Sequence, residues 1–254
     1  MKKAERITAI LDRLATTGTA SVNDLAAEYG VSRATLRRDL QLLEEQRLLD
    51  RTHGGAVADT EAYELPLRYR DAQQRDAKRA IAREAVRRIP AAGAVIGLTG
   101  GTTTTEVARI MADRVGLTVV TNAINIGALL AVRPRLKLIM TGGVARPQSY
   151  ELVGPLAEAT VAGLNIEIAF VGVDGLHPAL GVTTHDEIEA HTDAALLGAS
   201  RRVIVVADGS KIGRVRLARI APTSAVHELI TDQTADTEVL GQLEAGGMVV
   251  TVVD

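Results

Sequence analysis

Between Ser21 and Leu43 the apolar positions recur at helical spacing, and from Ala94 onward they gather into short unbroken runs. Val22, Leu25, Ala26 and Tyr29 share one face of a short helix, Gly30 ends it, and Ser32 opens a second. In that second helix Leu36, Leu40 and Leu43 form an apolar stripe, leaving Arg33, Thr35, Arg37 and Arg38 on faces that a DNA major groove can meet. Ser21 and Ser32 each stand where a hydroxyl caps a first helical turn. Leu48, Leu49 and Asp50 then lead into R-T-H-G-G-A-V, with Gly54-Gly55 placed as a hairpin turn. The pattern predicts a helix-turn-helix followed by a wing.

A helical hairpin with a solvated basic face would show the same apolar stripe. What favours DNA is where the cations lie. Arg33, Arg37 and Arg38 crowd the front of one helix, where base-reading side chains sit, and no acid interrupts Val31 to Arg38. Ser32 and Thr35 add hydroxyls there, and Arg51 or His53 on the wing would meet sugar-phosphate backbone.

The later runs are Ala94 to Leu98, Leu117 to Thr121, Leu136 to Thr141, Ile168 to Val173, Val203 to Ala207, Leu229 to Thr231 and Met248 to Val253. Apolar on both faces and separated by helical stretches, they predict a mainly parallel sheet with helices on each side. The fold class is α/β: a winged helix-turn-helix over residues 1–57, a polar linker over 58–75, and a larger α/β domain over 76–254.

Ligands of such sheets bind beyond the carboxyl ends of the strands. There the chain places Thr99-Gly100-Gly101-Thr102-Thr103-Thr104, then Asn122, Gly142-Gly143, Asp174-Gly175 and Asp208-Gly209-Ser210-Lys211. Glycines admit close backbone approach, and exposed amides at a helix start with threonine hydroxyls attract an anion such as phosphate. Each of these segments alone reads as an ordinary turn or surface lysine; five strand ends of one character point to a phosphate-bearing polar small molecule. A dinucleotide fits less well, because Gly97, Gly100 and Gly101 do not form G-x-G-x-x-G and Thr121-Asn122 ends the second strand without an acid. Arg146 and Tyr150 form either an anion clamp with its cover or an exposed loop pair. His185, Glu187, Glu189 and His191 read as helix-surface residues with Glu187 lining the pocket, and no metal or cofactor is expected.

Composition narrows the partners. The net charge is −2, and residues 1–57 carry nine cations against eight acids, so DNA binding must rest on position and not on bulk charge. One Phe, four Tyr and no Trp argue against a base-stacking RNA or single-strand platform. The absence of Cys excludes disulfides and thiol chemistry. Lys2 and Lys3 begin like an export signal, but Glu5, Arg6, Asp12 and Arg13 break the apolar run; no segment reaches membrane-spanning length, and a cytoplasmic protein is expected.

Taken together, V-S-R-A-T-L-R-R-D-L, R-T-H-G-G-A, G-G-T-T-T, L-V-G-P-L at Leu152 to Leu156, V-G-V-D-G at Val171 to Gly175 and A-D-G-S-K-I-G at Ala207 to Gly213 resemble the DeoR family in order and over nearly the whole length. The resemblance implies a winged-helix DNA-binding domain fused to a sugar-phosphate sensor similar in fold to ribose-phosphate isomerases. It places the phosphate loop on Gly100 to Thr104 and further pocket positions on Asn122, Gly143, Asp174 and Lys211. Thr99 departs from the family pattern, where many relatives have Asp, and Gly209 stands where Ser is more usual, which widens the space beside Lys211. The implied function is a repressor of a carbohydrate-metabolism operon, a homodimer or homotetramer that binds double-stranded operator DNA under control of a phosphorylated sugar. The alternative is an isomerase or deaminase on the same fold, with Asp174 or Glu187 as base and Lys211 steadying an enediolate.

Overall fold

A computed structural model describes residues 1–46, 48–57, 66–70, 74–91 and 93–254. The chain divides into two units, Met1–Gln73 and Gln74–Asp254.

The first unit runs α1 (Lys3–Thr17), β1 (Thr19–Ser21), α2 (Val22–Tyr29), α3 (Arg33–Glu45), β2 (Asp50–Thr52), β3 (Gly55–Val57) and α4 (Leu67–Arg70). Ile7, Ile10, Leu11 and Leu14 give α1 one apolar face, and that face packs with Leu25, Leu36, Leu40, Leu43 and Leu49. Ser21 and Ser32 cap α2 and α3 by accepting from the amides of Asp24 and Thr35, and Gly30 ends α2 at φ +64°. The strands form an antiparallel sheet in the order β1-β3-β2.

The wing turn falls on His53-Gly54, one residue earlier than the sequence pattern suggests. Gly55 is instead the first residue of β3, opposite Ser21, and a Cβ there would lie 1.9 Å from the Ala20 carbonyl oxygen. The second glycine lets β1 cross closely. Of the expected linker, residues 58–65 and 71–73 lie outside the described residues, Leu67–Arg70 is helical with Leu67 buried, and Arg75 already begins the next helix.

The second unit runs α5 (Arg75–Val86), β4 (Val95–Leu98), α6 (Thr102–Met111), β5 (Thr118–Thr121), α7 (Ile124–Leu130), β6 (Lys137–Met140), β7 (Val144–Arg146), β8 (Glu151–Val153), α8 (Pro155–Ala162) and β9 (Ile166–Val171). It continues with β10 (Gly175–His177), β11 (Gly181–Thr184), α9 (Glu187–Gly198), β12 (Ser200–Val206), β13 (Ala218–Ala221), β14 (Glu228–Asp232), α10 (Thr237–Ala245) and β15 (Val249–Val253). The seven apolar runs are the seven strands of one parallel sheet, ordered β15-β14-β12-β9-β4-β5-β6.

Alternation within each strand builds two cores. Ile168, Phe170, Ile204 and Val206 face a layer with Ile81, Val107, Met111 and Ile126, whereas Ala169, Val171, Val203 and Val205 face Val161, Leu196, Leu197 and Leu243. Chain order reverses between β4 and β9, which opens a crevice beyond their carboxyl ends. Two small antiparallel additions frame that edge, the β7–β8 hairpin and the β10-β11-β13 sheet.

On β14, Glu228 is buried and accepts hydrogen bonds from Arg88, Arg202 and Thr251. Burial alone would raise its carboxyl, but the Arg88 and Thr251 bonds and the two guanidinium charges hold it below the usual carboxylate range. A lowered folded-state pKa gives stability that is present above the unfolded value and lost as pH falls through the folded one. Melting temperature should therefore drop more steeply below about pH 4.5 in the wild type than in a Glu228→Gln variant. Parallel acid limbs for the two proteins would contradict this.

Candidate functional site

In the first unit α3 presents its cations outward. Arg33, Arg37 and Arg38 are exposed and have no carboxylate partner among the described residues. The acid that follows them, Asp39, points the other way: it is 3% exposed and accepts from Arg6 Nε at 2.6 Å, tying α3 to α1. The arginine face therefore keeps its positive charge. Ser32 and Thr35 share a hydrogen bond at 2.9 Å besides the cap, and both remain at the helix front. On the wing His53 is exposed in the turn, while Arg51 lies 3.6 Å from Glu44 of α3. That pair braces the wing against the helix.

In the second unit most of the expected ligand residues meet at the β4–β9 crevice. Gly101 sits at φ +121° and ends the strand-to-helix loop, so the first amides of α6, those of Thr102, Thr103 and Thr104, precede the bond from Thr105 to the Gly101 carbonyl. The threonine hydroxyls are partly committed to the loop itself: Thr104 Oγ1 donates to the Gly100 carbonyl at 2.9 Å and Thr105 Oγ1 to that of Gly101 at 2.6 Å. Thr99 is fully buried, accepts from the Gly172 amide at 3.0 Å, and so ties β4 to β9. It is a brace of the crevice.

Around this loop lies a continuous polar network. Glu151 on β8 accepts from the Gly100 amide. Asn122 Nδ2 donates to Asp193 at 3.3 Å, Arg146 reaches Asp186 at 3.2 Å and Glu189 at 3.1 Å, and the Thr184 hydroxyl donates to Glu189 at 2.5 Å and lies 3.3 Å from Asp174. Lys211 Nζ lies 3.7 Å from Asp174. The reading of Arg146 as an exposed loop residue fails, because its side chain is 13% exposed and held by two carboxylates. Gly143 is needed for a different reason than ligand approach: at φ +130° its Cβ would meet the Val153 backbone at 2.7 Å, closing the β7–β8 hairpin. Gly209 likewise does not widen the pocket, since a Cβ there would lie 2.2 Å from the Ala235 amide nitrogen.

Three acids that were not expected at the site lie buried within this network. Glu151, Glu189 and Asp193 are all buried and offer oxygens within 4.8 Å of one another. Glu189 belongs to the pocket and not to the helix surface, and Glu187, expected to line it, is exposed. Burial first, then the neighbouring Asp193 and Glu189 charges, push the Glu151 carboxyl well above the usual carboxylate range. Asp193 is raised by burial and by Glu189, against the opposing Asn122 bond. A clue was available in A-H-T-D-A-A-L-L, where Asp193 stands among residues that pack inward.

The chain matches the family model for the DeoR-like helix-turn-helix domain over residues 6–62 and that for the DeoR C terminal sensor domain over residues 73–233. This chain belongs to the DeoR family. It is 36% identical to the HTH-type transcriptional regulator GlpR of Haloferax volcanii, covering 100% of this chain and 98% of that one. It is 30% identical to the glycerol-3-phosphate regulon repressor of Escherichia coli K12 (94% and 95% covered) and 33% identical to the L-fucose operon activator of Haemophilus influenzae (85% and 87%). Among solved structures, ribose 5 phosphate isomerase A from Neisseria gonorrhoeae is a distant likeness, with TM-score 0.40 and 18% identity over 57% of this chain and 54% of that one.

As a DeoR-type protein the chain is a DNA-binding transcriptional regulator, and the isomerase or deaminase alternative gives way to that role. The arginine face of α3 and the wing belong to the family's helix-turn-helix, and the crevice belongs to its sensor domain. Among the described residues no helix is long and apolar enough to cross a membrane.

Proposed function

We propose that this DeoR-type regulator is a cytoplasmic repressor of a carbohydrate-metabolism operon, and that a phosphorylated sugar bound at the β4–β9 crevice sets its operator affinity. The observation that carries the reading is the Gly100–Thr104 loop at the sheet's crossover point: the Gly100 amide already holds the Glu151 carboxylate, and an amide that binds a carboxylate oxygen also suits a phosphate oxygen. Asn122, Arg146, Asp174 and Lys211 then surround a polyol with donors and acceptors. Ser32, Arg33, Thr35, Arg37, Arg38, Arg51 and His53 are the proposed DNA contacts. Relatives named for a glycerol-3-phosphate regulon and an L-fucose operon support a small phosphorylated or phosphorylatable carbohydrate.

A homodimer or homotetramer would read repeated half-sites, with the effector favouring one arrangement of the subunits. Exposed Val144, Leu156 and Ile188 on β7, α8 and α9 supply apolar surface for such association. The test is a thermal-shift screen of the full chain against phosphorylated and unphosphorylated sugars. A phosphorylated sugar should raise the melting temperature, and Lys211→Ala should diminish the shift. Stabilisation by free sugars alone would contradict the reading.

A further inference from the structure

The sensor crevice gathers more acids than cations among the described residues. Glu151, Asp174, Asp186, Glu189 and Asp193 are five acids in one network, against two cations, Arg146 and Lys211, among the described residues. Two acceptor atoms there are buried and have no hydrogen-bond partner among the described residues: Oε2 of Glu151 and Oδ1 of Asn122. Both residues are at least 98% buried, and Asn122 is tied to the acids through its own Nδ2. Orphaned buried acceptors are costly, and what satisfies an acceptor is a donor or a cation.

We propose that Glu151, Glu189 and Asp193, with the side-chain oxygen of Asn122, form a site for a divalent cation such as Mg²⁺, Mn²⁺ or Ca²⁺. An all-oxygen donor set selects hard cations. The three carboxylates offer oxygens within 4.8 Å of one another, a span that two oxygens at about 2.3–2.6 Å from one Ca²⁺ can reach directly and that must draw in to about 4.2 Å around Mg²⁺. The donors come from β8, α9 and the loop after β5, so the ion would fasten the β7–β8 hairpin to the body of the sheet. Its further role, which rests on the effector reading above, is to neutralise the acids beside the Gly100–Thr104 loop so that a phosphate can enter.

The site is tested on full-length protein freed of metal with EDTA, by following free Mn²⁺ in electron paramagnetic resonance as MnCl₂ alone is added. One Mn²⁺ per chain should bind in the submillimolar range, and Asp193→Asn and Glu151→Gln should each weaken it about tenfold or more while circular dichroism stays that of the wild type. If wild type leaves the metal free up to about 1 mM, or if both variants bind as it does, the site is wrong. Inorganic phosphate then separates site from purpose. Stabilisation by phosphate that is larger with MgCl₂ than with EDTA upholds the neutralising role, and equal stabilisation in EDTA overturns it. Bound Mn²⁺ with no response to phosphate or phosphorylated sugars upholds the cation site and counts against the effector reading.

Discussion

Replacing Arg37 and Arg38 together by Ala should lower affinity for operator DNA by roughly 10²–10⁴-fold, since each arginine contact to a base edge or phosphate contributes about 1–3 kcal/mol. Both side chains are exposed and unpaired with any carboxylate among the described residues, so little folding energy is lost with them. The adjoining acid does not offset them, because Asp39 is buried against Arg6. A titration repeated over a range of salt should show a shallower salt slope for whichever contacts were to phosphate. Gel-shift affinity within about twofold of wild type would remove α3 from the interface.

The largest effect on stability should come from Asp39→Ala. Arg6 and Asp39 are 7% and 3% exposed and meet at 2.6 Å, and removing one partner strands a buried charge at a cost of about 3–5 kcal/mol. That is a large share of the stability a unit of this size commands. Hydrogen exchange should accelerate across α1–α3 and remain unchanged in the parallel sheet, where the second unit has cores of its own. Combining Arg6→Met with Asp39→Leu should recover most of the loss, because a packed apolar pair removes the stranded charge. An Asp39→Ala protein with wild-type exchange in α3 would show that the pair is dispensable.

The seven sheet strands were legible because strands covered on both faces are written as continuous apolar runs, as in Ile204-Val205-Val206. The caps at Ser21 and Ser32 were legible for a similar reason, since their chemistry is local. The β7–β8 hairpin and the β10-β11-β13 sheet were not, being three or four residues per strand with no sustained alternation. Helix α1 carries a readable stripe in Ile7, Ile10, Leu11 and Leu14, which the charged residues between them obscure.

At the candidate site, the loop residues and Asn122, Asp174 and Lys211 were proposed from their place at strand ends, and Arg146 from the loop after the third sheet strand. Glu151 and Glu189 could not be found in this way, and Asp193 only through its inward-packing neighbours, because a carboxylate on a short strand or helix is usually solvated and only tertiary packing buries these three together. Thr99 shows the converse limit. Its position at the end of β4 suggested a ligand contact, whereas its hydroxyl is used to join β4 to β9.

The most direct measurement is fluorescence anisotropy of the full-length protein on a labelled duplex taken from upstream of its own coding region, with and without the phosphorylated sugar that most raises its melting temperature. The sugar phosphate should change the dissociation constant by about tenfold or more, and its unphosphorylated counterpart should leave it unchanged. Equal affinity for the duplex with and without every compound that stabilises the fold would contradict the coupling of crevice to arginine face.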